Sequence, residues 1–151
     1  MSDSSKALGA ARITLGLAAA LLLMAAGPAP DAAVSDGRMR VVVPSRPAAG
    51  YFKLDNHGAA PLDLVGASSP VCGTLMLHRS TNTGGMESMD MVDHVTVPPH
   101  GSVRFTPGGY HLMCMEPVGG LQSGQHVPVT LSFASGGTVT TNFTVEGARG
   151  Q

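Results

Sequence analysis

Tryptophan is absent from this chain, aromatic residues make up 4% of it, and only 13% of its 151 residues are charged. With so few large rings, a core must be built from Val, Leu, Ala and Met. The charged fraction lies well below the usual quarter or so. Formal net charge is −1 and no basic stripe runs along the sequence, which argues against nucleic acid as a partner. Helical periodicity is missing beyond the N-terminal leader, and no internal repeat is evident. The 20 Gly and 11 Pro disfavour long helices. Common catalytic signatures are missing too: there is no G-x-S-x-G, no H-E-x-x-H and no phosphate-binding glycine loop. The carboxylates form no convincing catalytic pair, so the chain reads as a non-enzyme. Its length argues for one domain.

The long apolar run lies at the N-terminus. Lys6 and Arg12 precede an uncharged stretch from Ile13 to Gly27, which ends in Ala25-Ala26-Gly27. A positive start, a short apolar run and small residues mark a secretory signal peptide. The run is shorter than the roughly 20 residues that a membrane span needs. Left uncleaved, Ile13 to Pro30 would act as a membrane anchor. No cysteine precedes Cys72, which leaves no lipid-attachment cysteine in the leader. Residues 1–33 are therefore read as signal peptide or anchor plus connector (Asp31 to Asp36 being polar and Ala-rich), 34–146 as the folded domain and 147–151 as a tail. Export places the domain in the periplasm or otherwise outside the cytoplasm, where conditions are oxidising.

Short segments of strand character follow, punctuated by turn residues. Met39 to Val43 stops at Pro44, and Ala49 to Leu54 stops at Asp55-Asn56-His57-Gly58. Leu62 to Val65, Thr74 to His78, His94 to Val97, Val103 to Phe105, Val127 to Phe133 and Thr138 to Val145 are the other candidates. Strands at about ten-residue spacing with Gly/Pro turns predict an all-β sandwich or barrel.

His78, Met89, His111 and Met113 stand in the order H-x10-M-x21-H-x-M. Scattering 6 His and 9 Met at random through 151 residues would produce this spacing roughly once in a thousand sequences. The set offers two imidazoles and two thioethers, with no thiolate and no carboxylate. Thioether sulfur is soft and uncharged and suits Cu(I), and imidazole also binds copper. The pattern predicts a site for one Cu(I) ion per chain. His111 and Met113 are two apart, so in a strand they share a face while Leu112 turns inward. His78 and Met89 flank a turn at Asn82-Thr83-Gly84-Gly85, and a hairpin there would bring their strands together. Met91 shares the parity of Met89 and can stand in as a spare thioether; Met86 has the opposite parity and would pack inward. Met76 and Met115 would line the rim or pack as ordinary apolar residues. His57, His94, His100 and His126 have no partner at chelating spacing.

The residues around this motif carry a resemblance. Leu77-His78, the run Met86-Glu87-Ser88-Met89-Asp90-Met91, and Pro107-Gly108-Gly109-Tyr110-His111-Leu112-Met113 resemble the periplasmic copper chaperone family called PCu(A)C, from about Val34 to Glu146. The resemblance implies a cupredoxin-like Greek-key β-fold that carries Cu(I) on the four named residues. It also implies delivery to the copper-containing subunit of a respiratory oxidase, as in assembly of the CuA centre of cytochrome c oxidase, or to companion chaperones.

Cys72 and Cys114 are the two thiols of an exported domain. A disulfide is the default there, with soft copper ligation or a redox pair as the rival readings. Other functions remain open at this point. An electron-transfer cupredoxin would need a Cys thiolate beside two His and an axial Met. A copper-buffering or resistance protein would use the same residues and differ only in partner.

Overall fold

The structure is a computed structural model that describes residues 27–149. The segment read as signal peptide or anchor lies almost wholly outside the described residues. Ten strands follow: β1 Ala32–Arg40, β2 Ala48–Asn56, β3 Leu62–Ser68, β4 Cys72–Thr83, β5 Met86–Met91, β6 Val95–Val97, β7 Ser102–Phe105, β8 Tyr110–Pro117, β9 His126–Phe133 and β10 Thr138–Glu146. Among the described residues there is no helix.

The strand order is β5-β4-β8-β2-β1-β10-β9-β3-β6, and a further β4–β3 pairing closes the sheet into a barrel. β1 and β10 run parallel, while the other pairs are antiparallel. The first and last strands thus meet along one seam. β4 is longer than its neighbours need. Its first half pairs with β3 at Ala67↔Leu75, and its second half pairs with β5 from His78↔Met91 to Thr83↔Met86. The β4–β5 hairpin therefore projects past the barrel as a flange.

Alternation decides which side chains fill the barrel. β2 alternates buried and part-buried along its whole length, and Phe52 and Leu54 point inward. Phe52 stacks on Phe105 and meets Phe143, so three of the four phenylalanines form the centre. Leu64, Leu77, Leu112, Leu131 and Val129 complete it. Cys72 and Cys114 are joined by a disulfide between β4 and β8, with Cα atoms 5.3 Å apart, inside this core.

Three expectations need correction. The polar stretch from Asp31 to Asp36 is not a connector, because β1 begins at Ala32. Its composition misleads because β1 carries a bulge. Pairing with β2 jumps from Ser35↔Lys53 to Arg38↔Tyr51, and Asp36 takes a φ of 55°. Gly37 lies so close to the Phe143 ring that a Cβ there would sit 2.6 Å from it, and only glycine fits. The strand then ends at Arg40, and Val42 and Val43 are exposed beyond it. Met86 does not pack inward either: every residue of β5 is exposed, because the flange has no second layer to cover it.

Candidate metal centre

Three adjacent strands, β5, β4 and β8, build one outward face. On β8, Leu112 and Cys114 turn into the core, so His111 and Met113 turn out. On β4, Leu75 and Leu77 turn in, so Met76 and His78 turn out. The register sets His78 opposite His111 and Met76 opposite Met113. The two imidazoles meet edge to face with ring centroids 5.7 Å apart. Tyr51 on β2 approaches His111 from the far side, at 6.4 Å between ring centres.

The hairpin fixes what β5 contributes. Gly84 and Gly85 both take positive φ, 62° and 81°, and form a two-residue turn that most other pairs would strain. Pairing then runs outward from Thr83↔Met86, so Met91 stands directly opposite His78 and Met89 opposite Ser80. The row across the face reads Met91, His78, His111. Met113 lies one step to one side of it and Met89 one step to the other. Directly opposed residues have Cβ atoms about 5 Å apart, and diagonal neighbours about 7–8 Å. His78, His111, Met113 and Met89 therefore share one face, with Met89 diagonal to His78. Met91, second choice on parity alone, holds the directly opposed position. Counting outward from the glycine turn is the sequence signal that locates it.

The imidazoles are polarised toward the face. His111 Nδ1 lies 3.1 Å from the Gly109 carbonyl oxygen. A carbonyl only accepts, so Nδ1 carries the proton and the neutral ring keeps a bare lone pair on Nε2. That Nε2 is buried without a hydrogen-bond partner, and so is His78 Nδ1. Burial pushes the His78 imidazole below its ordinary range, and the neighbouring His111 pushes the same way. Two buried ring nitrogens without hydrogen-bond partners are costly unless a ligand fills them. Among the described residues, no three His, Cys, Asp or Glu side chains cluster as a metal site. The other soft donors on this face are the thioethers of Met76, Met89, Met91 and Met113. His57, His94, His100 and His126 are all exposed, and His126 instead contacts Thr144 Oγ1 through Nδ1.

Comparison with known proteins gives these residues a family. "Putative lipoprotein Lxx21020" of Leifsonia xyli subsp. xyli is 32% identical over 91 residues, which is 60% of this chain and 55% of that protein. The chain spans about half the length of the curated relatives it matches. Among solved structures, the "Copper-bound PCuAC domain from PmoF2" superposes with a TM-score of 0.66 at 22% identity, covering 79% of this chain and 95% of that one. At that identity the likeness is one of fold: this is the PCuAC-type β-barrel. The solution structure of CuI-DR1885 from Deinococcus radiodurans superposes with a TM-score of 0.60 at 33% identity, covering 81% of this chain and 80% of that one. The family model described as "Putative lipoprotein LpqE-like" matches residues 32–145, from the start of β1 nearly to the end of β10, and the chain belongs to that family.

Proposed function

We propose that this protein is an exported, non-enzymatic carrier of a single Cu(I) ion, held by His78, His111, Met113 and Met89. The observation that carries the reading is the pair of buried, unpartnered imidazole nitrogens on adjacent strands, with thioethers on the same face. All four donors are neutral, so a bound Cu(I) keeps its single positive charge, and soft sulfur favours the reduced ion. A solved relative at 33% identity is described with Cu(I) in its name, which supports the same cargo here.

The donor set also bears on direction. Nothing in it must lose a proton at neutral pH, and no thiolate competes to keep the ion. An acceptor that offers thiolates can take it. By family resemblance that acceptor is the copper centre of a respiratory oxidase or a companion chaperone that loads it. A blue-copper electron carrier is disfavoured by one observation: such a site needs a Cys thiolate, and both cysteines are in the disulfide. A copper-buffering role would use the same site with no dedicated acceptor.

Competition titration with a chromophoric Cu(I) chelator tests the reading. The expected result is one tight equivalent, lost in His111→Ala, followed by transfer of the ion to a Cys-x-x-Cys acceptor. Tight Cu(I) binding that survives loss of both histidines would overturn it. Binding without transfer would favour buffering over carriage.

A further inference from the structure

The outward face that holds the two imidazoles continues onto β2, β1 and β10. The row of His78 and His111 leads to Tyr51 on β2, then to Arg38 on β1, which stands opposite Tyr51. In the next row, Met113 stands opposite Ala49, Ala49 opposite Arg40, and Arg40 opposite Glu146. Here the surface opens into a cleft of about 310 Å³, lined by Arg38, Arg40 and Arg149 together with Tyr51, Pro107 and Glu146. Arg40 Nη2 donates to the Ala148 carbonyl at 2.7 Å, which ties down the segment after β10 and brings Arg149 to the cleft. Three guanidinium groups face one carboxylate, on a chain whose formal net charge is −1. Among the described residues, neither Arg38 nor Arg149 is in an ion pair, and Arg40 is not paired with Glu146. The positive charge is unspent.

We propose that this arginine cleft is a docking site for carboxylate side chains on the protein that receives the ion. The proposal rests on the carrier reading for the identity of that partner. Geometry links the two. Neighbouring strands lie about 4.8 Å apart, so Arg38 on β1 is about 10 Å from His111 on β8. A stable protein interface covers about 800 Å² on each partner, a disc of roughly 16 Å radius. Any protein centred on the imidazole pair therefore covers the cleft. A planar guanidinium fork matches a carboxylate better than any other protein group. The three arginines are exposed, and an exposed pair contributes at most about 1 kcal/mol, which is weak for a small free anion. Summed over an acidic surface, the same charges steer approach and fix orientation. Glu87, on the Met89 face of β5, marks the opposite edge, so the charge changes sign across the centre. A partner that docks acid to the arginines presents its acceptor group over the imidazoles in one orientation.

Two measurements test this on the full chain. The first is fluorescence anisotropy of a labelled oligoglutamate peptide, free of Cys, His and Met, added to copper-free protein. Wild type is expected to bind it at low ionic strength, and Arg38→Gln/Arg40→Gln to bind about tenfold more weakly or worse. Arg104→Gln, whose guanidinium already pairs with Asp36, should stay within about twofold. Arg38→Glu/Arg40→Glu should switch the preference to oligolysine. Equal binding by wild type and the double glutamine variant would overturn the proposal. So would displacement of the peptide by inorganic phosphate at equal carboxylate-to-phosphate ratio, since the cleft would then be a small-anion site. The second measurement is the rate of Cu(I) transfer to two Cys-x-x-Cys peptides, one flanked by Glu and one by Gln. Wild type should favour the acidic peptide by about fivefold or more, and the double glutamine variant should lose that advantage at unchanged Cu(I) affinity. If wild type takes up no Cu(I), the carrier reading falls while the anisotropy result still decides the cleft. If Cu(I) transfers but ignores flanking charge, the cleft proposal falls and the carrier reading stands.

Discussion

The two halves of the proposed metal face are built differently. His78 and His111 stand on β4 and β8, whose inner sides carry Leu77, Leu112 and the Cys72–Cys114 disulfide. His111 is 3% exposed and held by the Gly109 carbonyl. Met89 and Met91 stand on the β5 flange and are 53% and 67% exposed. His111 is thus fixed by close packing and by its carbonyl contact, and the part-buried His78 packs edge to face against it. The sulfur donors on β5 sit on long, flexible side chains at the surface. Such a division suits a carrier: the rigid side defines where the ion rests, and the exposed side is where an incoming thiolate can displace a thioether without disturbing the barrel.

The largest test of this contrast goes beneath the rigid half. The disulfide closes a loop of 42 residues, and removing such a link costs about 4 kcal/mol in the chain-entropy model. Cys72→Ser/Cys114→Ser should lower stability to urea by about that amount, while the folded protein still takes up one Cu(I). A small stability loss would mean that the floor under the imidazoles does not depend on the bridge. Next comes the rigid half itself. His111→Ala removes a donor that nothing on the face replaces, so Cu(I) affinity should fall by about 100-fold, or 2.7 kcal/mol. His78→Ala should match it. An affinity within a few-fold of wild type would break the contrast.

The flange should behave otherwise. Leucine keeps the volume of methionine and removes the sulfur. Because Met91 faces His78 directly and Met89 lies diagonally, each can stand in for the other. Met89→Leu and Met91→Leu should each cost about twofold in affinity, and the double variant about 30-fold, well beyond the roughly fourfold that the two singles predict together. A silent Met91→Leu with the full loss in Met89→Leu would assign the sulfur to Met89 alone and sharpen the contrast to a single flange residue.

How much of this was legible depends on how local the cause is. The shared face of His111 and Met113 follows from strand parity, and β8 obeys it. The hairpin between His78 and the Met run is announced by Gly84-Gly85, whose positive φ values only glycine tolerates easily. The start of β1 was not legible, because Asp31 to Asp36 reads as a polar, Ala-rich connector, whereas a bulge between Ser35 and Arg38, with Gly37 against the distant Phe143 ring, lets it pair. Met91's direct opposition to His78 needs the turn type as well as the parity. The arginine cleft needs more still. Arg40 and the Ala148 carbonyl are 108 residues apart, and only the parallel β1–β10 seam brings them together.

The smallest expected effect is on pH, and it too separates the halves, since thioethers do not titrate. Burial and the neighbouring His111 hold His78 below its ordinary value in the folded apo-protein. The groups facing it are His111 on β8 and the uncharged Met91 on β5. The unfolded chain binds a proton at His78 near pH 6.5, before the folded one does. Where the unfolded state binds more protons, stability rises with pH. The His78 contribution is therefore complete above about pH 6.5 and is lost as pH falls from there to the lower folded value. Thermal unfolding of the apo-protein across this window should show a decline that His78→Gln flattens and Met89→Leu leaves unchanged. If the decline persists in His78→Gln, the acid sensitivity comes from elsewhere in the barrel, and the buried nitrogen of His78 is not the group that acid has to reach.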